Sequence, residues 1–185
     1  MKELWILSVQ TSLPDTCYNH ESLNKKFGAF ENFADARSAM REEIKTFAFS
    51  ENAMFDGDGH FLKLRDYIEN MYEGEEDDGD DVLNKAILAK VEDILHSVLS
   101  GGEAQTDLAE GRYTDWMIEV ELAKDHVRFY GVDDGPYNGY NPVLTTNMLS
   151  MEEEKDYYFY ADDRLGQDAD SSELYVDLRK VKVIE

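Results

Sequence analysis

The apolar residues of this chain change their spacing part-way along it, and that change limits the fold more than any motif does. Phe33, Ala36, Met40, Ile44 and Phe47 recur at steps of three and four, which puts them on one face of a helix. From residue 112 the step becomes two. Trp116, Ile118, Val120 and Leu122 alternate with Met117, Glu119 and Glu121, as in a strand with one buried side. Helical segments followed by a run of strands point to an α+β fold. Its mainly antiparallel sheet would carry about three helices on one face.

The elements follow from the same reading. Residues 4–11 form a strand with apolar side chains on both faces, Leu4 and Ile6 against Trp5, Leu7 and Val9. Residues 12–29 read as loop around Pro14, with a short extended piece from Phe27 to Phe30. Helices are expected at about 32–49, with Asn32 as N-cap, at 61–72 and at 81–100. The last turns Leu83, Ile87, Val91, Ile94 and Val98 inward and stops at Gly101-Gly102. A hairpin loop at Ala123–His126 leads to Val127 and Phe129. Residues 133–150 read as an irregular loop. Strands follow at 156–161 and 173–184, the last with a phase shift between Leu178 and Val181 that suggests a bulge or bend. The chain reads as a single domain over 1–185, with 73–81 as an acidic linker or loop between helices.

Composition narrows the class. The 185 residues are 42% hydrophobic and include 11 Tyr, 9 Phe and 2 Trp, too many aromatics for a disordered chain of this charge. No apolar run approaches the roughly 20 residues that span a membrane. The first stretch, MKELWILSVQT, is too short and too soon interrupted for a secretion signal. A single cysteine, Cys17, excludes an internal disulfide framework and suits a reducing cytoplasm.

Net charge is −23, which repels nucleic acid and anionic membrane and favours basic partners or cations. The charge is uneven. Residues 1–65 hold ten acids and eight bases; residues 66–81 hold nine acids and no base; residues 133–170 hold ten acids against Lys155 and Arg164. Adaptation to high salt would spread acidity over the whole surface. Focused charge points instead to a particular partner. In EGEEDDGDD, residues 73–81, seven of nine side chains are carboxylates. Extended, that run holds about one charge per 4 Å, close to the one phosphate per roughly 3.4 Å of a DNA strand. A solvated linker would look the same.

The zone from 130 to 175 is more specific, because it holds seven tyrosines among its carboxylates. In Asp156–Ala161 (DYYFYA), Tyr158 and Tyr160 share one face and Tyr157 and Phe159 the other, so one pair packs inward. Carboxylates beside exposed rings suit an arginine-rich groove, since Arg both pairs with carboxylates and stacks on rings. The candidate partner-binding residues are Glu75, Glu76, Asp77, Asp78, Asp133, Asp134, Tyr137, Tyr140, Glu152, Glu153, Tyr158, Tyr160, Asp162 and Asp163.

Catalytic and metal motifs are weak. A calcium loop starting at Asp56 has Asp58 and His60 at positions 3 and 5, but Phe61 where glycine belongs and Tyr67 where a bidentate Glu belongs. One starting at Asp168 fails at the same two places. Asp56, Asp58 and His60 remain a loose cation candidate; a Gly-rich turn between helices explains them as well. Cys17 and His20 lack the further ligands of structural zinc. His96 and His126 are ordinary, and no glycine pattern cradles phosphate. No cofactor and no catalytic residues are expected.

In charge, size and tyrosine content the chain resembles the small acidic nuclease inhibitors of phages and mobile elements, including anti-CRISPR and antirestriction nucleic-acid mimics. That resemblance implies a non-enzymatic inhibitor occupying the basic nucleic-acid-binding surface of a partner such as Cas9, without binding nucleic acid itself. The same physics fits an immunity protein to a basic nuclease toxin. A cation-binding or metal-dependent enzyme at Asp56, Asp58 and His60, and a housekeeping domain whose acidity serves solubility, are the competing classes.

Overall fold

The computed structural model describes residues 2–13, 22–48, 89–91, 93–102, 110–114, 118–133, 139–162 and 173–183. Eight strands form one antiparallel sheet: β1 (Lys2–Leu13), β2 (Ser22–Phe30), β3 (Gly111–Thr114), β4 (Ile118–Leu122), β5 (Val127–Asp133), β6 (Gly139–Thr146), β7 (Tyr157–Asp162) and β8 (Glu173–Val183). Their order is β2-β1-β8-β7-β6-β5-β4-β3. Six strands run as a meander, and the β1–β2 hairpin is added beside β8.

The sheet has one apolar side, and register explains it. Val9, Val176, Phe159, Thr146, Val127 and Leu122 stand opposite one another from β1 to β4. A neighbouring row runs Thr11, Leu174, Ala161, Leu144, Phe129 and Val120. Directly opposed residues share a face, so two rows of mainly aliphatic side chains, each with one phenylalanine, make a continuous floor. The two threonines in them are buried too, and the Thr146 hydroxyl donates to the Tyr158 carbonyl at 2.7 Å.

Helix α1 (Phe33–Ala48) lies over β1, β2 and β8. Phe33, Ala36, Met40 and Ile44 are buried, the face that their spacing predicts. Full burial of side chains as large as Phe, Met and Ile contributes roughly 1.5–3 kcal/mol each, so this stripe sets how α1 docks. Phe33 packs on Trp5 at 4.9 Å between centroids and on Tyr157 at 6.0 Å. Asn32 caps the helix, its side-chain oxygen accepting the Asp35 N–H at 2.9 Å. Residues 89–91 and 93–99 are also helical and are termed α2; Val91, Ile94, Leu95, Val98 and Leu99 are buried. Gly101 sits at φ 85°. Its N–H donates to Val98 and that of Gly102 to Ser97, at 3.1 and 2.9 Å, a Schellman stop that needs glycine.

The α+β reading therefore holds with corrections. The described residues hold two helices; the expected helix at 61–72 and the first part of that at 81–100 lie outside them. Eight strands replace the expected five or so. Residues 22–29 of the supposed loop 12–29 belong to β2, paired with β1 from Trp5↔Phe30 to Leu13↔Ser22, and residues 12–13 end β1. Opposite Leu7 and Val9, β2 places Gly28 and Lys26, so on that side its apolar signal is Phe30 at the very end. Part of the supposed loop 133–150 is β6; Pro142 fits there opposite Tyr130, past a register shift between Phe129 and Tyr130. Where one strand was expected from residue 112 to 122, Gly111–Thr114 and Ile118–Leu122 are two. No bulge separates Leu178 from Val181 in the β1 pairing, which runs unbroken to Val183. The phase changes there because β8 outruns the core: residues 179–183 are all exposed.

Candidate interaction surface

The other side of the sheet carries a polar row that crosses all eight strands. Lys25, Gln10, Tyr175, Tyr160, Thr145, Arg128, Glu121 and Arg112 stand opposite one another in turn. A second, shorter row brings Phe27, Ser8, Asp177 and Tyr158 together. Tyr158 and Tyr160 are half-buried here, while Tyr157 and Phe159 are in the core. The alternation expected of DYYFYA is thus resolved in favour of the first pair.

Hydrogen bonds fix these rings. The Tyr160 hydroxyl donates to Glu173 at 3.4 Å. The Tyr158 hydroxyl, first, and Glu121 hold the Arg128 guanidinium above its ordinary range. The Tyr158 N–H donates to Asn147 Oδ1 at 2.8 Å, so a side chain continues the ladder where β6 ends. Asp177 pairs with Arg179 at 3.3 Å, yet its carboxyl lies above the usual range, because burial outweighs that cation.

This face is aromatic but not acidic as expected. Glu119, Glu121, Glu173 and Asp177 share it with Lys25, Arg112, Arg128 and Arg179. Arg112 pairs with Glu119, and Arg128 with Glu121 at 3.3 Å. Counting acids over 133–170 passed over these arginines, which lie on the flanking strands. Their signal was the polar half of each alternation, as in Arg128-Phe129-Tyr130.

The acidity lies elsewhere. The described residues carry 18 carboxylates and 14 lysines and arginines, a net of −4, which leaves −19 of the −23 on the rest of the chain. Four pairs of strand ends, Leu13/Ser22, Thr114/Ile118, Asp133/Gly139 and Asp162/Glu173, lie at one end of the sheet. The sequences joining them, 14–21, 115–117, 134–138 and 163–172, hold seven carboxylates and one arginine. Asp133 and Asp162 are themselves strand ends there, and Tyr140 is in β6 at the same end.

The opposite end is tied by charge. Lys155 Nζ donates to Asp125 at 2.6 Å, and the His126 ring nitrogen lies 3.1 Å from the same carboxyl. The Leu149 N–H donates to the Asp125 carbonyl, so the 123–126 hairpin holds the 147–156 loop. That loop buries Met148, Leu149 and Met151 and leaves Glu152, Glu153 and Glu154 exposed.

Glu75, Glu76, Asp77, Asp78, Asp134, Tyr137 and Asp163 lie outside the described residues, as do Asp56, Asp58 and His60. Among the described residues no group of three His, Cys, Asp or Glu could hold a metal, and no helix is long and apolar enough to cross a membrane. Comparison with protein families, with curated proteins and with solved structures found no match.

Proposed function

We propose that this chain is an acidic protein-binding inhibitor that works in the cytoplasm and occupies the basic nucleic-acid-binding surface of a nuclease. A CRISPR effector such as Cas9 is the candidate target. The observation that carries the reading is that four connections, together holding seven carboxylates against one arginine, leave from one end of a sheet whose described residues are nearly neutral. Multiple carboxylates at one end steer a basic partner and screen it from phosphates. Exposed ion pairs give only about 0–1 kcal/mol each, so affinity needs anchors; Tyr158 and Tyr160, held by Arg128 and Glu173, offer them, since buried interface tyrosines give roughly 2 kcal/mol or more. The reading involves binding alone, with no cofactor and no catalytic step.

The test is capture from a nuclease-treated host lysate on the immobilised chain. A basic nucleic-acid-binding protein should be retained, displaced by duplex DNA, and released as salt rises from about 50 to 500 mM, where screening shortens from about 14 to 4 Å. Retention indifferent to both salt and DNA would sink the proposal.

A further inference from the structure

Two of the described arginines reach no carboxylate among the described residues, whereas Arg112, Arg128 and Arg179 each do. Eight lysines and arginines each reach a carboxylate among the described residues. Arg37 and Arg41, one turn apart on α1, do not, in a chain with 41 carboxylates and 18 lysines and arginines. Neither is merely a solvated surface charge: both are half-buried, and the Nε of each is buried without a hydrogen-bond acceptor.

The groups they touch among the described residues are uncharged. Arg37 donates through Nη1 to the Met151 carbonyl at 2.7 Å and lies over the Phe33 ring at 5.4 Å. Arg41 Nη1 lies beside Gly101, at the C-terminal end of α2, 3.8 Å from where a β-carbon on that glycine would sit. The nearby Tyr157 hydroxyl is used, donating to the Glu153 carbonyl at 2.8 Å. Two guanidiniums thus share a partly dry corner between α1, the end of α2 and the 147–156 loop. Burial, and then the Arg37 charge, hold Arg41 below its ordinary range. Partly desolvated like charges gain most from an anion that takes hydrogen bonds from both.

We propose that Arg37 and Arg41 form an oxyanion site of the phosphate class. Two guanidinium forks present up to ten N–H donors, of which Met151 takes one. A phosphate group has enough acceptor oxygens to serve both forks, whereas a carboxylate has two. The site lies at the opposite end of the sheet from the acidic connections and stands independently of the inhibitor proposal.

The experiment is titration of inorganic phosphate into the full chain near pH 7.5, followed by calorimetry, with sodium chloride and sodium acetate titrated at matched ionic strength. Saturable binding is expected for phosphate and not for the other two. Arg37→Gln and Arg41→Gln should each weaken it about tenfold or more, as loss of a charge-assisted pair does. Arg41→Lys should fall between, keeping the charge without the fork. The exposed Lys182→Gln should bind as the parent does. Circular dichroism checks that each variant is folded, and the parent titration decides independently of them. A parent response equal in chloride overturns the site, acetate matching phosphate overturns its class, and folded Gln variants that bind normally overturn its residues.

Discussion

The Asp125 carboxylate and the Lys155 ammonium, 2.6 Å apart, join the β4–β5 hairpin to the loop that plugs the core with Met148 and Met151. Both side chains are substantially exposed, 42% and 33%, so the pair is worth about 0.2–1 kcal/mol. The hydrogen bond from Lys155 is the main cause that holds Asp125 below the usual carboxylate range, with His126 adding to it. A depressed carboxyl stabilises the fold above its unfolded value, near 3.9, and loses that contribution as pH falls through the native value. Asp125→Asn should therefore lower the urea midpoint at pH 7 by a small constant amount. The difference should close in acid, and one that persisted far below pH 3 would contradict this account.

Asp177 should behave in the opposite sense. Burial raises its carboxyl, so the ionised form costs stability at neutral pH, and that cost fades as pH falls through the native value toward the unfolded one. Asp177→Asn keeps the shape and removes the charge. Its partner Arg179 is 61% exposed and loses little. The variant should be at least as stable as the parent at pH 7, with its advantage shrinking in acid. A clear loss of stability at pH 7 would show that the Arg179 pair outweighs burial.

Gly101 offers a backbone test. At φ 85° an L side chain costs roughly 1–2 kcal/mol, so Gly101→Ala should lower stability by about that much. Gly101→Asn should cost less, since Asn tolerates this conformation better. Thermal unfolding of the three proteins decides it, and equal midpoints would refute the Schellman assignment.

Against a captured partner, charge and aromatic changes should separate. Replacing 73–81 with a Gly/Ser linker tests whether that run does more than connect. Unchanged inhibition would leave it a linker. Neutralising Asp134, Asp163, Asp168 and Asp170 should slow association and flatten its salt dependence. Tyr158→Ala and Tyr160→Ala should mainly speed dissociation, each costing roughly 2 kcal/mol if the ring is buried in the complex. Tyrosine variants that bind normally would move the anchors elsewhere.

What was legible in the sequence follows from where a residue's burial is decided. Phe33, Ala36, Met40 and Ile44 announced α1 because a single buried stripe dictates their spacing. Val120, Leu122, Val127 and Phe129 announced β4 and β5 for the same reason, and Gly101 marked its helix stop through a backbone demand. Only the Phe27–Phe30 end of β2 was read as extended; the rest escaped because its lysines are held by pairing with β1, with Lys26 reaching Glu43 on α1, and they leave no apolar trace. β6 was missed because Asn141-Pro142 reads as a loop until a neighbouring register shift accommodates it. At the candidate surface, the sequence placed Tyr158 and Tyr160 together on one face. It could not show that Arg128 and Arg112, distant in sequence from the tyrosines, complete the same row. That juxtaposition belongs to the meander, not to any local pattern.

The pairing of β1 with β8 also governs when this protein can exist as a folded object. Lys2 is opposite Val183 and Ser12 opposite Glu173, so the longest seam of the sheet is made by strands separated by most of the chain. Contacts of such long sequence separation form slowly, since loop-closure entropy is lost before they are gained. On the ribosome, Trp5, Leu7 and Val9 are made early and must wait for Leu174, Val176 and Leu178 to emerge. Until then half of their apolar floor has no neighbour, and the nascent chain relies on its own carboxylates to stay dispersed.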